Sequence, residues 1–171
     1  MVYKVIKYPD PRLETPCAPI EEFDTPELHQ LVADMFETMY QHKGVGLAAP
    51  QIGVLQQLAV IDTSLGEDES QKIVIINPRI EKKEGMQRDE EGCLCLPGFR
   101  EKVSRAMKVV VTARDASGKE ITLAGEELLA RAFQHEIDHL NGILFIAHIS
   151  ALKRDLIRRK IRKLIKAGEW A

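Results

Sequence analysis

Cysteine is scarce in this chain, with three in 171 residues. So small and odd a set supplies no disulfide framework and fits a reducing compartment. Long apolar runs are absent too. None approaches the ~20 residues that a membrane span needs, and the opening Met1-Val2-Tyr3-Lys4-Val5-Ile6-Lys7 has neither an extended apolar stretch nor a cleavage signal. Secretion and membrane insertion are therefore disfavoured, and a cytoplasmic location is expected. No excess of one charge exists: 24 Lys and Arg face 26 Asp and Glu, for a net charge of −2. The chain as a whole thus makes no strong field for nucleic acid. Repeats and low-complexity linkers are missing, and the length suits one domain, 1–171, with room for a buried core.

What is present is one dense cluster of chemistry. His135-Glu136-Ile137-Asp138-His139 sits in a segment with helical periodicity. At ~100° per residue, positions four apart point only ~40° away from each other and lie ~6 Å apart along the axis, so both imidazoles reach one ion. Glu136 projects from the neighbouring stripe, where a carboxylate can take a proton from metal-bound water rather than fill a coordination position. On a wheel from Glu126 to Leu140, Leu128, Ala132, His135 and His139 form one stripe, and Leu129, Phe133, Glu136 and Leu140 the next. Only Glu127, Arg131, Gln134 and Asp138 make a polar edge. So narrow an edge predicts a buried helix, in which titratable groups without a partner would be costly.

Two histidines need a third ligand. The continuation Leu140-Asn141-Gly142-Ile143-Leu144-Phe145 follows the metzincin pattern through its glycine, then offers Phe145 where a third histidine should stand. A glutamate from a later helix is the other common solution, yet the only glutamate after His139 is Glu169, beyond a very basic stretch. The ligand is therefore expected upstream, where Glu91-Gly92-Cys93-Leu94-Cys95-Leu96-Pro97-Gly98 offers two thiols in a glycine-bounded turn. Either Cys93 or Cys95 completes a Cys-His-His set with an open fourth position, and chemistry alone does not choose between them. Cys17, between Pro16 and Ala18, reads as a small core hydrophobe.

Three segments now stand in order: Gly44-Val45-Gly46-Leu47-Ala48-Ala49-Pro50-Gln51, Glu91-Gly92-Cys93-Leu94 and Gln134-His135-Glu136-Ile137-Asp138-His139. Together they closely resemble the peptide deformylases across nearly the whole chain. The resemblance implies a metal-dependent hydrolase that removes the formyl group from the N-terminal formyl-methionine of nascent polypeptides, releasing formate. It implies Cys93, His135 and His139 as ligands, Glu136 as proton shuttle, and Gln51 with the Leu94 N–H as donors to the formyl oxygen. Gly46 matches a glycine whose backbone lies against substrate, and Arg100 with Pro97-Gly98-Phe99 is expected at the rim of the methionine pocket. The implied native metal is Fe2+, with Zn2+, Ni2+ or Co2+ able to substitute. Cys95 departs from the common pattern, which has serine there. Two thiols beside a ferrous ion predict sensitivity to oxygen and peroxide, and Cys95 is expected to make this chain unusually easy to inactivate by oxidation.

The remaining chain predicts an α+β fold, with mostly antiparallel strands packed around the central His-Glu-x-x-His helix. Asp24-Thr25-Pro26-Glu27 starts an N-terminal helix striped by Leu28, Leu31, Val32, Met35 and Met39, with Gly44 as its stop. Strands are expected at 57–62, 72–77, 103–114 and 119–124, the last two joined by a hairpin at 115–118. A further extended segment is expected at 144–149. Glu91 and Asp138 read as supports to the site or as structural ion pairs, while His29, His42 and His148 have no partner at ligand spacing. The 150–167 tail alternates Leu152, Leu156, Ile157, Ile161, Leu164 and Ile165 with eight lysines and arginines, a basic amphipathic helix. A packed helix with a solvated face explains that pattern, and ribosomal RNA is a candidate partner for the charges.

Overall fold

The computed structural model describes residues 1–170. Helix α1 (Pro26–Gln41) begins where the sequence places it, with the Thr25 hydroxyl accepting from the Leu28 N–H and proline in the first turn. It ends on paired backbone bonds, Lys43 N–H to Tyr40 and Gly44 N–H to Met39, both 3.0 Å. Lys43, at φ 56°, takes the left-handed conformation expected of a glycine. Gly44 follows it and instead faces Leu94, whose Cδ1 would lie 3.2 Å from any Cβ at position 44. The helix stop is thus Lys43, and Gly44 makes room for the thiol-bearing turn.

Seven strands follow: β1 (Gly46–Ala48), β2 (Leu58–Ile61), β3 (Ile73–Glu84), β4 (Gln87–Gly92), β5 (Arg100–Arg105), β6 (Lys108–Arg114) and β7 (Glu120–Glu126). Five of them form one sheet in the order β1-β2-β3-β6-β7, and β4 pairs with β5 in a separate ribbon. Every pairing between these strands is antiparallel. Helix α2 (Glu127–Leu140) carries the metal motif and α3 (Ala151–Lys166) closes the chain. The class is α+β, as the sequence predicts.

Alternation along the strands sorts two cores onto the two faces of the sheet. Ala59 and Ile61 of β2, with Ile75, Val109 and Val111, pack against Phe133, Ile137 and Leu140 of α2. Leu58 and Val60 turn the other way, joining Leu47 and Ile76 against Met35, Phe36 and Met39 of α1. A third cluster fastens α3, through Ile157 and Ile161, to Leu96, Val103 and Phe145. Tyr8 is its junction: its N–H donates to the Cys95 carbonyl (3.0 Å), its carbonyl accepts from Trp170 Nε1 (2.6 Å) and its hydroxyl from Arg158 Nε (3.0 Å). Two residues earlier the Ile6 N–H donates to the Gln51 carbonyl (2.8 Å), so one short segment braces the end of the first motif and the residue just after the second.

Several expectations need correction. The run 103–114 is two strands in different sheets, broken at Ala106-Met107. There Gln134 grips Ala106, accepting from its N–H at 3.0 Å and donating to its carbonyl at 3.1 Å. Strand β4 is polar throughout and carries no alternation to announce it, and β3 runs on to Glu84 through an equally charged stretch. The segment 144–149 is not extended, because Phe145–His148 forms a 3-10 turn that buries Phe145 and Ile146. On α3 only Ile157 and Ile161 are buried, while Leu152, Leu156 and Ile165 are exposed. Among the described residues no helix is long and apolar enough to cross a membrane.

Candidate metal centre

One helical turn separates His135 from His139, and the spacing brings their Nε2 atoms 3.2 Å apart. Strand β4 ends at Gly92 and delivers Cys93 to the same place, with Sγ 3.2 Å from His139 Nε2. One donor atom each from Cys93, His135 and His139 lies within 4.8 Å of the others. A thiol and two ring nitrogens crowded together fit a divalent cation of the zinc and iron(II) kind. Burial pushes the Cys93 thiol up to about 12, reinforced by Cys95, which binding of a cation would reverse by deprotonating it. Phe145, where the metzincin pattern breaks, has its ring 6.4 Å from that of His135.

The far side of His135 is equally built. Its Nδ1 lies 2.6 Å from Glu91 Oε2, which fixes the tautomer that leaves Nε2 free as a donor. Glu91 in turn accepts from Arg105 Nε (3.1 Å) and Nη2 (2.6 Å) and from Arg131 Nη1 (2.8 Å). Arg105 also reaches Asp138 at 2.6 Å, and His148 Nε2 closes on that carboxylate at 2.8 Å. Burial would raise Glu91, but the hydrogen bonds from His135 and Arg105 outweigh it and hold the carboxyl well below the usual range. Asp138 is lowered by its bonds to His148 and Arg105 against the same opposition.

Glu136 is buried beside the donor set, and its Oε1 has no protein hydrogen-bond partner among the described residues. Burial pushes its carboxyl up to about 7, opposed by His135 and reinforced by Glu91. The side chain rests on the Gly46 backbone, where an added Cβ would lie 2.5 Å from Oε2 and 2.9 Å from Cδ. Gly46→Ala is therefore expected to swing the carboxylate aside and lower kcat by about 10²-fold with the metal content unchanged. Turnover and metal analysis of one preparation check this. Gln51, on a 3-10 turn after β1, has its Oε1 held by the Ala48 N–H at 2.9 Å. That bond turns Nε2 towards Cys93 Sγ, 3.3 Å away. No protein acceptor among the described residues takes the Leu94 N–H.

A sequence model described as polypeptide deformylase matches residues 2–155. The chain belongs to the polypeptide deformylase family. It is 59% identical over 170 residues to the peptide deformylase of Acidobacterium capsulatum, covering 99% of each chain. The crystal structure of a peptide deformylase from Legionella pneumophila superposes with a TM-score of 0.90 at 48% identity, covering 98% of both chains. That of the Thermus thermophilus peptide deformylase gives 0.87 at 40%, again with 98% of both. This polypeptide deformylase fold gathers Cys93, His135, His139, Glu136, Gln51, Gly46 and Leu94 around one point. Arg100 is exposed on β5 opposite Gly92, with its side chain across that glycine and 3.8 Å from Glu90. Sequence reading missed Arg105 and Arg131 as supports, and left His148 without a role. A carboxylate two residues before the thiol and an arginine on the polar edge of the motif helix were the available signals, but pairing Glu91 with residues 105 and 131 needs the fold.

Proposed function

We propose that this chain hydrolyses the formyl amide of N-formyl-methionyl polypeptides as they are made, using Fe2+ held by Cys93, His135 and His139. The observation that carries this reading is the convergence of those three donors beside a buried, unpartnered Glu136. A thiolate with two imidazoles suits iron(II) as well as zinc, so Zn2+, Ni2+ and Co2+ are functional replacements.

A cation in that position supplies Lewis acidity towards the formyl oxygen and towards water. Glu136 accepts a proton from the attacking water, and its burial suits a base working near neutral pH. As the formyl carbon becomes tetrahedral, charge builds on its oxygen. Gln51 Nε2, locked by the Ala48 bond, and the Leu94 N–H donate to it, each such donor being worth about 2.7–4 kcal/mol. Glu136 then passes its proton to the amine nitrogen as the C–N bond breaks, giving formate and a free amino terminus. Gly46 lets the substrate backbone approach, and Arg100 with Phe99 forms the rim. Anaerobically purified, iron-loaded protein should release one formate per formyl-methionyl peptide and leave the acetyl analogue intact. Internal cleavage of either peptide would make the chain a peptidase instead.

The cytoplasm, where nascent chains emerge, is the proposed location, and α3 is proposed to touch the ribosome. Arg159, Lys160, Arg162 and Lys163 are all exposed, whereas Arg158 is tied to Tyr8. Charge reversal at Arg159 and Arg162 is expected to weaken co-sedimentation with ribosomes and to flatten its salt dependence. Unchanged binding would remove the ribosome from the proposal.

A further inference from the structure

Cys93 and Cys95 place their sulfur atoms 3.0 Å apart, although one thiolate completes the three-donor set. The Cys95 sulfur is not among the converging donors. Cys95 is fully buried among Tyr8, Leu96 and Phe145, whereas Cys93 is partly exposed. The third thiol, Cys17, belongs to a different core cluster. The two neighbours thus form an ordered pair, with the sulfur of the less buried Cys93 backed by that of the fully buried Cys95.

We propose that Cys93 and Cys95 are a reversible modification site, at which a peroxide converts the pair to an intrachain disulfide that withdraws Cys93 from the metal and a dithiol restores it. This rests on the reading of Cys93 as a ligand. Sulfur of Cys93 attacks one peroxide oxygen and the O–O bond breaks, leaving a sulfenic acid and hydroxide, which takes up a proton as water. Sulfur of Cys95 then attacks Cys93 sulfur and the S–O bond breaks. The departing hydroxide takes the Cys95 proton and leaves as a second water. The two sulfurs together lose two electrons and the peroxide gains two. Closure from 3.0 Å to a bond of ~2.05 Å needs about 1 Å of sulfur movement. Serine at position 95 has no sulfur to attack, so its sulfenic acid persists and proceeds to the irreversible sulfinic and sulfonic acids. Cys95 therefore decides whether oxidation of the ligand is a pause or a loss.

The test uses zinc-loaded protein, so that the metal itself has no redox chemistry. After hydrogen peroxide treatment we expect an intact mass lower by two hydrogens, a peptide linking Cys93 to Cys95, and release of the bound zinc to a chromogenic chelator. Dithiothreitol followed by zinc should restore mass and metal content. Cys95→Ser should instead gain two or three oxygens at Cys93, and dithiothreitol should not recover it. The proposal is overturned if the parent gains oxygens at Cys93 as fast as Cys95→Ser, or if the disulfide form keeps its zinc. The ligand reading fails separately: Cys93→Ala would then retain zinc in full.

Discussion

Glu136→Gln lowers kcat for deformylation by about 10²–10⁴-fold, the range in which a positioned acid–base group contributes, while one divalent ion per chain remains bound. Glutamine matches the shape that rests on Gly46 but carries no proton between water and the leaving nitrogen. The charge holds no hydrogen bond at Glu136 Oε1, which has no protein partner among the described residues, and burial already disfavours the ionised form. A carboxyl whose folded pKa is raised above its unfolded value destabilises the fold once pH exceeds that unfolded value. Removing the charge should therefore leave the melting temperature of the metal-free protein equal to or above that of the parent. A variant that lost both turnover and metal would place Glu136 among the ligands and remove it from proton transfer. Metal analysis, steady-state kinetics and a thermal melt on the same preparation decide the matter.

Glu91→Ala is expected to cost about 3–5 kcal/mol of unfolding free energy, the usual penalty for stripping a buried charge of its partner. Side chains of Arg105 and Arg131 are only 4% and 7% exposed, and both lose their shared carboxylate. Arg105 keeps Asp138 at 2.6 Å, whereas Arg131 keeps no acceptor among the described residues. Glu91→Gln preserves the outline and isolates the effect on the metal. His135 Nδ1 would then face a neutral amide, and metal affinity should fall 10–100-fold, as it does when such outer partners are altered. Stability should follow pH in a defined direction. Because the folded pKa of Glu91 is depressed, its contribution is present in full above the unfolded value of about 4.3 and is lost progressively as pH falls below it. Denaturant unfolding at neutral and acid pH, parent against Glu91→Gln, should show the difference shrinking towards low pH. Equal pH dependence would mean that the carboxylate is not the keystone of this cluster.

The metal site was legible in the sequence because its logic is local. A four-residue spacing on a helix brings His135 and His139 together whatever the surrounding fold. The α1 and α3 boundaries were legible for a similar reason, since Thr25 and Ser150 cap with their own side chains. Strand β4 was not, because a ribbon whose inward face holds Glu91 rather than a hydrophobe has no period-two signature. The run 103–114 misled in the opposite way: Val103 in the otherwise polar β5 reads on into the valine-rich β6 as one strand, and Gln134 reaching back to Ala106 reveals the break. The choice between Cys93 and Cys95 rested on family resemblance, and the three-donor geometry now favours Cys93. Glu91 and Asp138 were read as supports or ion pairs, but their partners lay beyond sequence reading, since bonded pairs in the cluster sit up to 44 residues apart.

Tyr8 has a consequence for the order of assembly. It holds the Cys95 carbonyl, the Arg158 guanidinium and the Trp170 indole at once, and the last of these contacts spans 162 positions. Pairings at such separation form late, after local helices and hairpins. During translation Tyr8, which braces the thiol loop, is therefore itself secured only when residues 158–170 have left the exit tunnel. An unfinished copy of this enzyme holds its catalytic loop more loosely than a released one.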